Sequence, residues 1–387
     1  MLAGRERALA EVDLDAVRHN VRLLMRDLPA GAAHCAVVKA DGYGHGAVPV
    51  ARAALEAGST WLGVACAAEA EELREAGLTA PVLVFGPMTG ADLERAAAAG
   101  ADVVAWSAAF LAEAVRLGAP VHVKFDSGMG RLGVTELEAR VLCAAAAEAG
   151  LLRGLMSHFA TADEADTSFF DYQLGRFTAL AGELKAIYPY LICHTANSAA
   201  TLRGPRAHFD MVRTGIAMYG LAPANDDPFK HDLRPAMKLS SYVAGVRVVQ
   251  PGDSVGYGRR FVADAPARIG IVPIGYADGI CRKLTNAGDV LVAGRRCRIT
   301  GTISMDQLTV LLPDDWGGAG DEVVFFGAAG AGAAADARST PAAPRASGAP
   351  RILCEEVARQ LETINYEVVC DVAPRVVRRY HGAGPAA

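Results

Sequence analysis

The chain has 387 residues, 52% hydrophobic and 21% charged, which is enough for two buried cores and too apolar for overall disorder. A net charge of −5 without a long basic cluster excludes the electrostatic footprint of a nucleic-acid or anionic-membrane binder, although a local cationic pocket stays compatible with it. No stretch of about 18 uncharged apolar residues reads as a membrane span. Charges from Arg5 onward interrupt any signal-like core, and the eight cysteines form no CxxC pair, so the expectation is a reduced, cytoplasmic protein without metal.

From about residue 34 to 213, short apolar runs alternate with helical patterns. The runs are Cys35–Val38, Trp61–Ala65, Val82–Phe85, Asp102–Ala105, Val121–Phe125, Leu152–Met156, Leu191–Cys193 and Phe209–Val212. Segments such as VARAALEAG and DLERAAAAG lie between them and end in Gly, a common helix stop. Eight β/α units in roughly 200 residues predict an α/β fold, a (β/α)8 TIM-like barrel over 1–235, with a doubly wound open sheet as the alternative. After about Arg234 the texture changes to Val- and Ile-rich runs: Val243–Val249, Ala267–Val272, Val290–Val292 and Leu308–Leu312. Turn residues punctuate these, so 236–387 is expected to be a mostly-β domain. Residues 328–350, poor in large apolar groups, read as a flexible insertion. A helix and then a strand are expected in EEVARQLETINYEVVC.

In a parallel barrel the loops after the strands build the site. The residues just past the eight runs include Lys39, Asp41, Tyr43, Lys124, Asp126, Arg131, His158, His194, Asn197, Ser198 and Arg213, a polar and mostly cationic rim. Lys39 stands at the end of a desolvated strand, where a lysine loses its proton more easily and becomes a nucleophile. Glycines at 42, 44 and 46 let the following loop approach a ligand closely. Taken alone, Lys39 reads equally as a strand-end lysine reaching solvent, and Ser198 as an ordinary N-cap.

AVVKADGYGHG, around Lys39, resembles the segment that carries the cofactor lysine in the alanine racemase family. VDLDAVRHN, KFDSGMGRLG, SHFATADE, ANSAA, MVRTGIAMYG, VGYGRRF, IGYADG, ISMDQ and TINYEVVC resemble family segments in family order, from about Val12 to Cys370. The resemblance implies a barrel plus a C-terminal β domain, a head-to-tail homodimer with shared sites, and pyridoxal 5′-phosphate as cofactor. The implied reaction interconverts L- and D-alanine, supplying D-alanine for peptidoglycan. Lys39 would hold the cofactor as a Schiff base and serve one face of the substrate. Tyr257, from the partner subunit, would serve the other, helped by His158. Arg213 would face the pyridine nitrogen, positioned by His194. Tyr43, Ser198, Gly215, Ile216 and Tyr366 would meet the phosphate. Arg131, Met305 and Asp306 would bind substrate, Tyr276 would narrow the entrance, and Lys124, carbamylated in some members, would hold Arg131.

Other readings stay open at this stage. One methylene in a pocket changes binding by only about 1–3 kcal/mol, so a serine or broad-spectrum racemase of the same fold is an alternative. A non-catalytic pyridoxal-phosphate protein is a more distant one, because carriers resembling the barrel lack the β domain that holds Tyr257.

Overall fold

The computed structural model describes residues 5–329 and 349–382. Most of the expected insertion at 328–350 therefore lies outside the described residues. The chain forms two compact units, one of Leu14–Arg234 and one that joins the residues through Asp13 to Pro235–Gly382.

The first unit is built on eight parallel strands: β1 (Ala33–Val37), β2 (Trp61–Val64), β3 (Val82–Val84), β4 (Asp102–Ala105), β5 (Val121–Lys124), β6 (Leu152–Met156), β7 (Ile192–His194) and β8 (Met211–Thr214). Each pairs with the next from β1 to β7, and β1 also pairs with β8. Between β7 and β8 the ladder is replaced by single bonds. Asp210 N donates to Cys193 O at 3.0 Å, Arg213 N to Ala196 O at 2.9 Å, and Cys193 N to the Asp210 carboxylate at 2.8 Å. These bonds nearly close the sheet into a barrel.

The strands are short runs buried on both faces, as a covered parallel sheet requires. Inward positions alternate along each strand. Cys35, Leu83, Val104, Met156 and Met211 fill the interior as one cluster. Burying a side chain of this size contributes about 1.5–3 kcal/mol. The connecting helices start at caps such as Thr89 and Thr135, each completed by the acidic residue three places on. Gly58 and Gly100 follow helix ends with φ of 115° and 60°, conformations that favour glycine.

The second unit is mostly β. Its larger sheet runs in the order Arg295–Arg298, Asp289–Val292, Glu322–Ala328, Met237–Tyr242, Leu9–Asp13 and Val377–His381, with Arg351–Ile352 paired to Glu322–Ala328. A smaller sheet joins Gly245–Val249, Ala267–Val272 and Leu308–Leu312. The run expected at Val243–Val249 starts at Gly245 because the chain changes sheets there. Val243 N bonds Asp321 O, whereas Ala244 N bonds Ile271 O.

Two expectations need correction. A boundary at residue 235 places the N-terminal residues with the barrel, but Leu9–Asp13 pairs antiparallel to Met237–Tyr242 and parallel to Val377–His381. The strand expected in TINYEVVC is instead the helix Asn365–Cys370. Its Asn365 amide donates to Glu355 on the preceding helix at 2.9 Å, and Val368 and Val369 turn inward together.

Candidate active site at the barrel mouth

Lys39 stands one residue beyond β1, past Val38, at the C-terminal mouth, and is half-buried. The backbone then makes a left-handed turn. Ala40, Asp41, Gly42 and Tyr43 have φ of 53°, 51°, 60° and 53°. L-residues pay roughly 1–2 kcal/mol each for that region, so the turn needs external support. Glu69 supplies it, accepting from Ala40 N and from Ala65 N, both at 2.7 Å. Asp41 closes the other end by accepting from Ala47 N at 2.9 Å.

The turn delivers Tyr43 to the segment after β8. An added Cβ at Gly215 would lie 2.3 Å from Tyr43 Oη, so only glycine lets the hydroxyl and this backbone meet. Ser198 Oγ accepts from Gly215 N at 2.9 Å and from Ala217 N at 3.2 Å. The N-cap of the short helix Ser198–Leu202 is Asn197, whose side chain accepts from Ala200 N. The N-cap reading of Ser198 is thereby excluded. Two hydroxyls and the backbone of Gly215 and Ile216 thus converge from three segments.

Beside them stand the cations. Arg213 is buried and donates to His194 Nδ1 at 2.7 Å, Ser157 O at 2.8 Å and His158 Nδ1 at 3.3 Å. Burial lowers its pKa to about 10, which leaves it charged at neutral pH. His158 is held well below its usual pKa, first by burial and then by the charges of Arg213, Arg131, Lys124 and Lys39. It is therefore a neutral ring among four cationic side chains. Lys124, the last residue of β5, is lowered to about 8 by burial and by Arg131 and Arg213, with Asp126 opposing. Asp126 itself accepts from Gly128, Met129 and Gly130 N–H groups, fixing the loop that carries Arg131.

Four of the residues singled out in the second unit share one open pocket of about 590 Å³, lined by Tyr257, Tyr276, Met305 and Asp306 among others. Three loops are stitched together to form it. Tyr276 N and Ala277 N donate to Ser304 O and Met305 O, and Thr302 Oγ1 donates to Tyr257 O at 2.6 Å. A Cβ at Gly275 would strike Ser304 O at 2.2 Å, so that glycine is what lets two of the loops touch. Asp306 is paired with Arg375 at 2.8 Å, and Arg375 also binds the buried Asp278. Tyr366 does not line this pocket; it stands half-buried on the helix Asn365–Cys370.

The family model of the alanine racemase N-terminal domain matches residues 12–223, and that of the C-terminal domain matches 236–344. The chain belongs to the alanine racemase family. Alanine racemase of Frankia casuarinae is 44% identical, the match covering 98% of this chain and 97% of that protein. Alanine racemase of Geobacillus stearothermophilus is 43% identical, with 95% and 92% covered. Among solved structures, alanine racemase from Streptomyces coelicolor has a TM-score of 0.86 at 37% identity, covering 99% of both chains. That from D-cycloserine-producing Streptomyces lavendulae has a TM-score of 0.85 at 38% identity, covering 97% of both chains. These alanine racemases match along nearly the whole length of the chain, both units included.

Proposed function

We propose that the chain interconverts L- and D-alanine with two bases, Lys39 and Tyr257, around bound pyridoxal 5′-phosphate. Reaction and cofactor follow from membership of the alanine racemase family. The observation that carries the residue assignment is the convergence of Lys39, Tyr43, His158, Ser198, Arg213 and Gly215 at one barrel mouth.

The site fits the cofactor. Tyr43 and Ser198 with the backbone of Gly215 and Ile216 form a cradle of hydroxyls and amides that a Cβ at Gly215 would fill, suited to a phosphate. Tyr366 is assigned to the same phosphate by its place in TINYEVVC. When bound, pyridoxal phosphate supplies an electron-withdrawing ring that acidifies the substrate Cα–H. Lys39 Nζ would hold it covalently and, as a free amine, would take or return the Cα proton of D-alanine. Tyr257 Oη of the partner subunit would do the same for L-alanine. His158, kept neutral by burial and cationic neighbours, is able to pass that proton on. Arg213 would face the pyridine nitrogen as a donor that does not surrender its proton, which would leave the ring a modest electron sink and favour reprotonation over side reactions. Arg131, Met305 and Asp306 bind the substrate carboxylate and flank, with Tyr276 at the entrance. Lys124 stands at the position that is carbamylated in some family members, where a carbamate would hold Arg131.

Two copies complete each site, so the active species is a homodimer, and the D-alanine serves peptidoglycan synthesis in the cytoplasm. The test is incubation of purified protein and pyridoxal phosphate with L-alanine, reading D-alanine, with serine and lysine as competitors. Borohydride reduction should leave the cofactor on Lys39. Absence of D-alanine, or label on another lysine, overturns the reading.

A further inference from the structure

Arg213 is buried, yet among the described residues its hydrogen-bond partners, Ser157 O, Thr195 O, His158 Nδ1 and His194 Nδ1, are all neutral. The Cys35 thiol beside it is pushed up to about 12 by burial and is neutral too. A buried guanidinium without compensation is costly. A line of hydrogen bonds leads from it along the barrel interior to a carboxylate. Arginine has donors only, so at 2.7 Å from Arg213 Nη1 the His194 Nδ1 must accept. The proton of the neutral His194 ring is then on Nε2, which faces His122 Nδ1 at 2.7 Å. His122 must accept in turn and carries its own proton on Nε2, 3.2 Å from Asp102 Oδ2.

Alternation along β4, β5, β7 and β8 places all four side chains on the inward face. Asp102 opens β4, at the mouth opposite Lys39, with its side chain 11% exposed and Arg153 3.6 Å away. The rings are held in place. A Cβ at Gly154 would lie 2.2 Å from His122 Nδ1, so the neighbouring strand is hollowed to admit that ring. Trp61 packs its ring edge-on against His122, with centroids 5.6 Å apart.

We propose that Asp102 is a positioning residue for the active-site arginine, acting through a one-directional chain Arg213→His194→His122→Asp102 that crosses the barrel interior. The carboxylate fixes the tautomer of His122, His122 fixes that of His194, and His194 holds Arg213 as a charged donor aimed at one place. Burial lowers the pKa of both histidines, consistent with neutral rings. Reversal would set a His194 N–H against an Arg213 N–H, so the guanidinium would have to turn away. The consequence for catalysis rests on the reading that Arg213 faces the cofactor; the chain itself does not.

The test starts with cofactor-free protein labelled with nitrogen-15. Two-bond proton–nitrogen spectra from pH 6 to 9 should show His122 and His194 as neutral rings protonated on Nε2. An imidazolium, or an Nδ1–H tautomer at His194, overturns the chain whether or not cofactor assignments hold. Asp102→Asn, whose amide can present a donor to His122, should bring in the Nδ1–H form there. In reconstituted dimer it should shift the pH dependence of the bound cofactor's absorption and lower kcat by about 10-fold, the lower end for loss of an outer-shell partner, with KM unchanged. Asp102→Glu should recover most of the loss, and Arg153→Ala should change neither readout. Folded Asp102→Asn and Asp102→Ala proteins with wild-type tautomers, spectra and kcat overturn the proposal.

Discussion

The barrel mouth and the pocket of the second unit carry the same kinds of side chain in opposite conditions. At the mouth, Tyr43 is 8% exposed and Arg213 4%, and each polar group is oriented by neighbours within the same unit. In the second unit, Tyr257 is 73% exposed and Met305 52%, although their backbones are tightly stitched. One region has its side chains fixed by burial; the other has its loops fixed and its side chains open. A tyrosine held so firmly by its backbone and so little by its surroundings fits the proposed homodimer, which rests on the family resemblance and in which Tyr257 would serve the partner subunit's site.

The largest effect that would sharpen the contrast is at Lys39. Lys39→Ala should lower racemisation by at least about 10⁴-fold, the upper end for a lost general base, and abolish borohydride-fixed cofactor; D-alanine formation near wild-type rates would place the base elsewhere. Tyr257→Phe comes next, with racemisation down about 10²–10⁴-fold. It should keep solvent deuterium exchange into D-alanine and lose it for L-alanine, because only one face loses its base. Equal exchange of both enantiomers would break the division of labour. Mixed dimers of Lys39→Ala and Tyr257→Ala chains should regain activity in one hybrid site.

Ser198→Ala removes the acceptor of two buried N–H groups, each costing about 1–3 kcal/mol when unpaired. Cofactor dissociation should rise by about 10- to 100-fold with the secondary structure intact by circular dichroism, and unchanged binding would separate Ser198 from the cradle.

The smallest effect concerns Lys124. Its pKa of about 8 means the amine loses its charge as pH rises through 8. The neutral amine can attack carbon dioxide, forming a C–N bond and releasing a proton to water. Added bicarbonate should therefore raise activity by a few-fold, more at pH 9 than at pH 7, since only the neutral amine reacts. A carbamate signal from carbon-13 bicarbonate that persists in Lys124→Arg would assign it to another lysine.

The barrel was legible because covered parallel strands are short apolar runs with recognisable helix stops between them; all eight runs overlap observed strands. The strand Leu9–Asp13 was not, since its partners Ser240 and Val377 lie more than 200 residues away and no local pattern announces them. In TINYEVVC, two adjacent valines suggested a strand, but a buried amide–carboxylate bond and the inward pair Val368 and Val369 made a helix. Lys39, Tyr43, Ser198 and Gly215 could be named from motifs, whereas the Gly215–Tyr43 contact needed the fold. His122 and Asp102 sit in no motif, although the alternation in VHVK sets His122 on the same strand face as Lys124.

The left-handed turn after Lys39 also bears on the order in which the protein assembles. Ala40, Asp41 and Tyr43 each oppose that conformation, and the Glu69 carboxylate that offsets them belongs to the helix after β2. A nascent chain holding only β1 and the lysine segment has no reason to adopt the turn. Cofactor capture during refolding should therefore lag behind the return of helix signal, and the lag should lengthen in Glu69→Gln; simultaneous recovery would show that the turn forms unaided. The turn after Lys39 is thus supported by a neighbour made later in the chain, so on the proposed assignment a half-built barrel would not yet present its cofactor lysine.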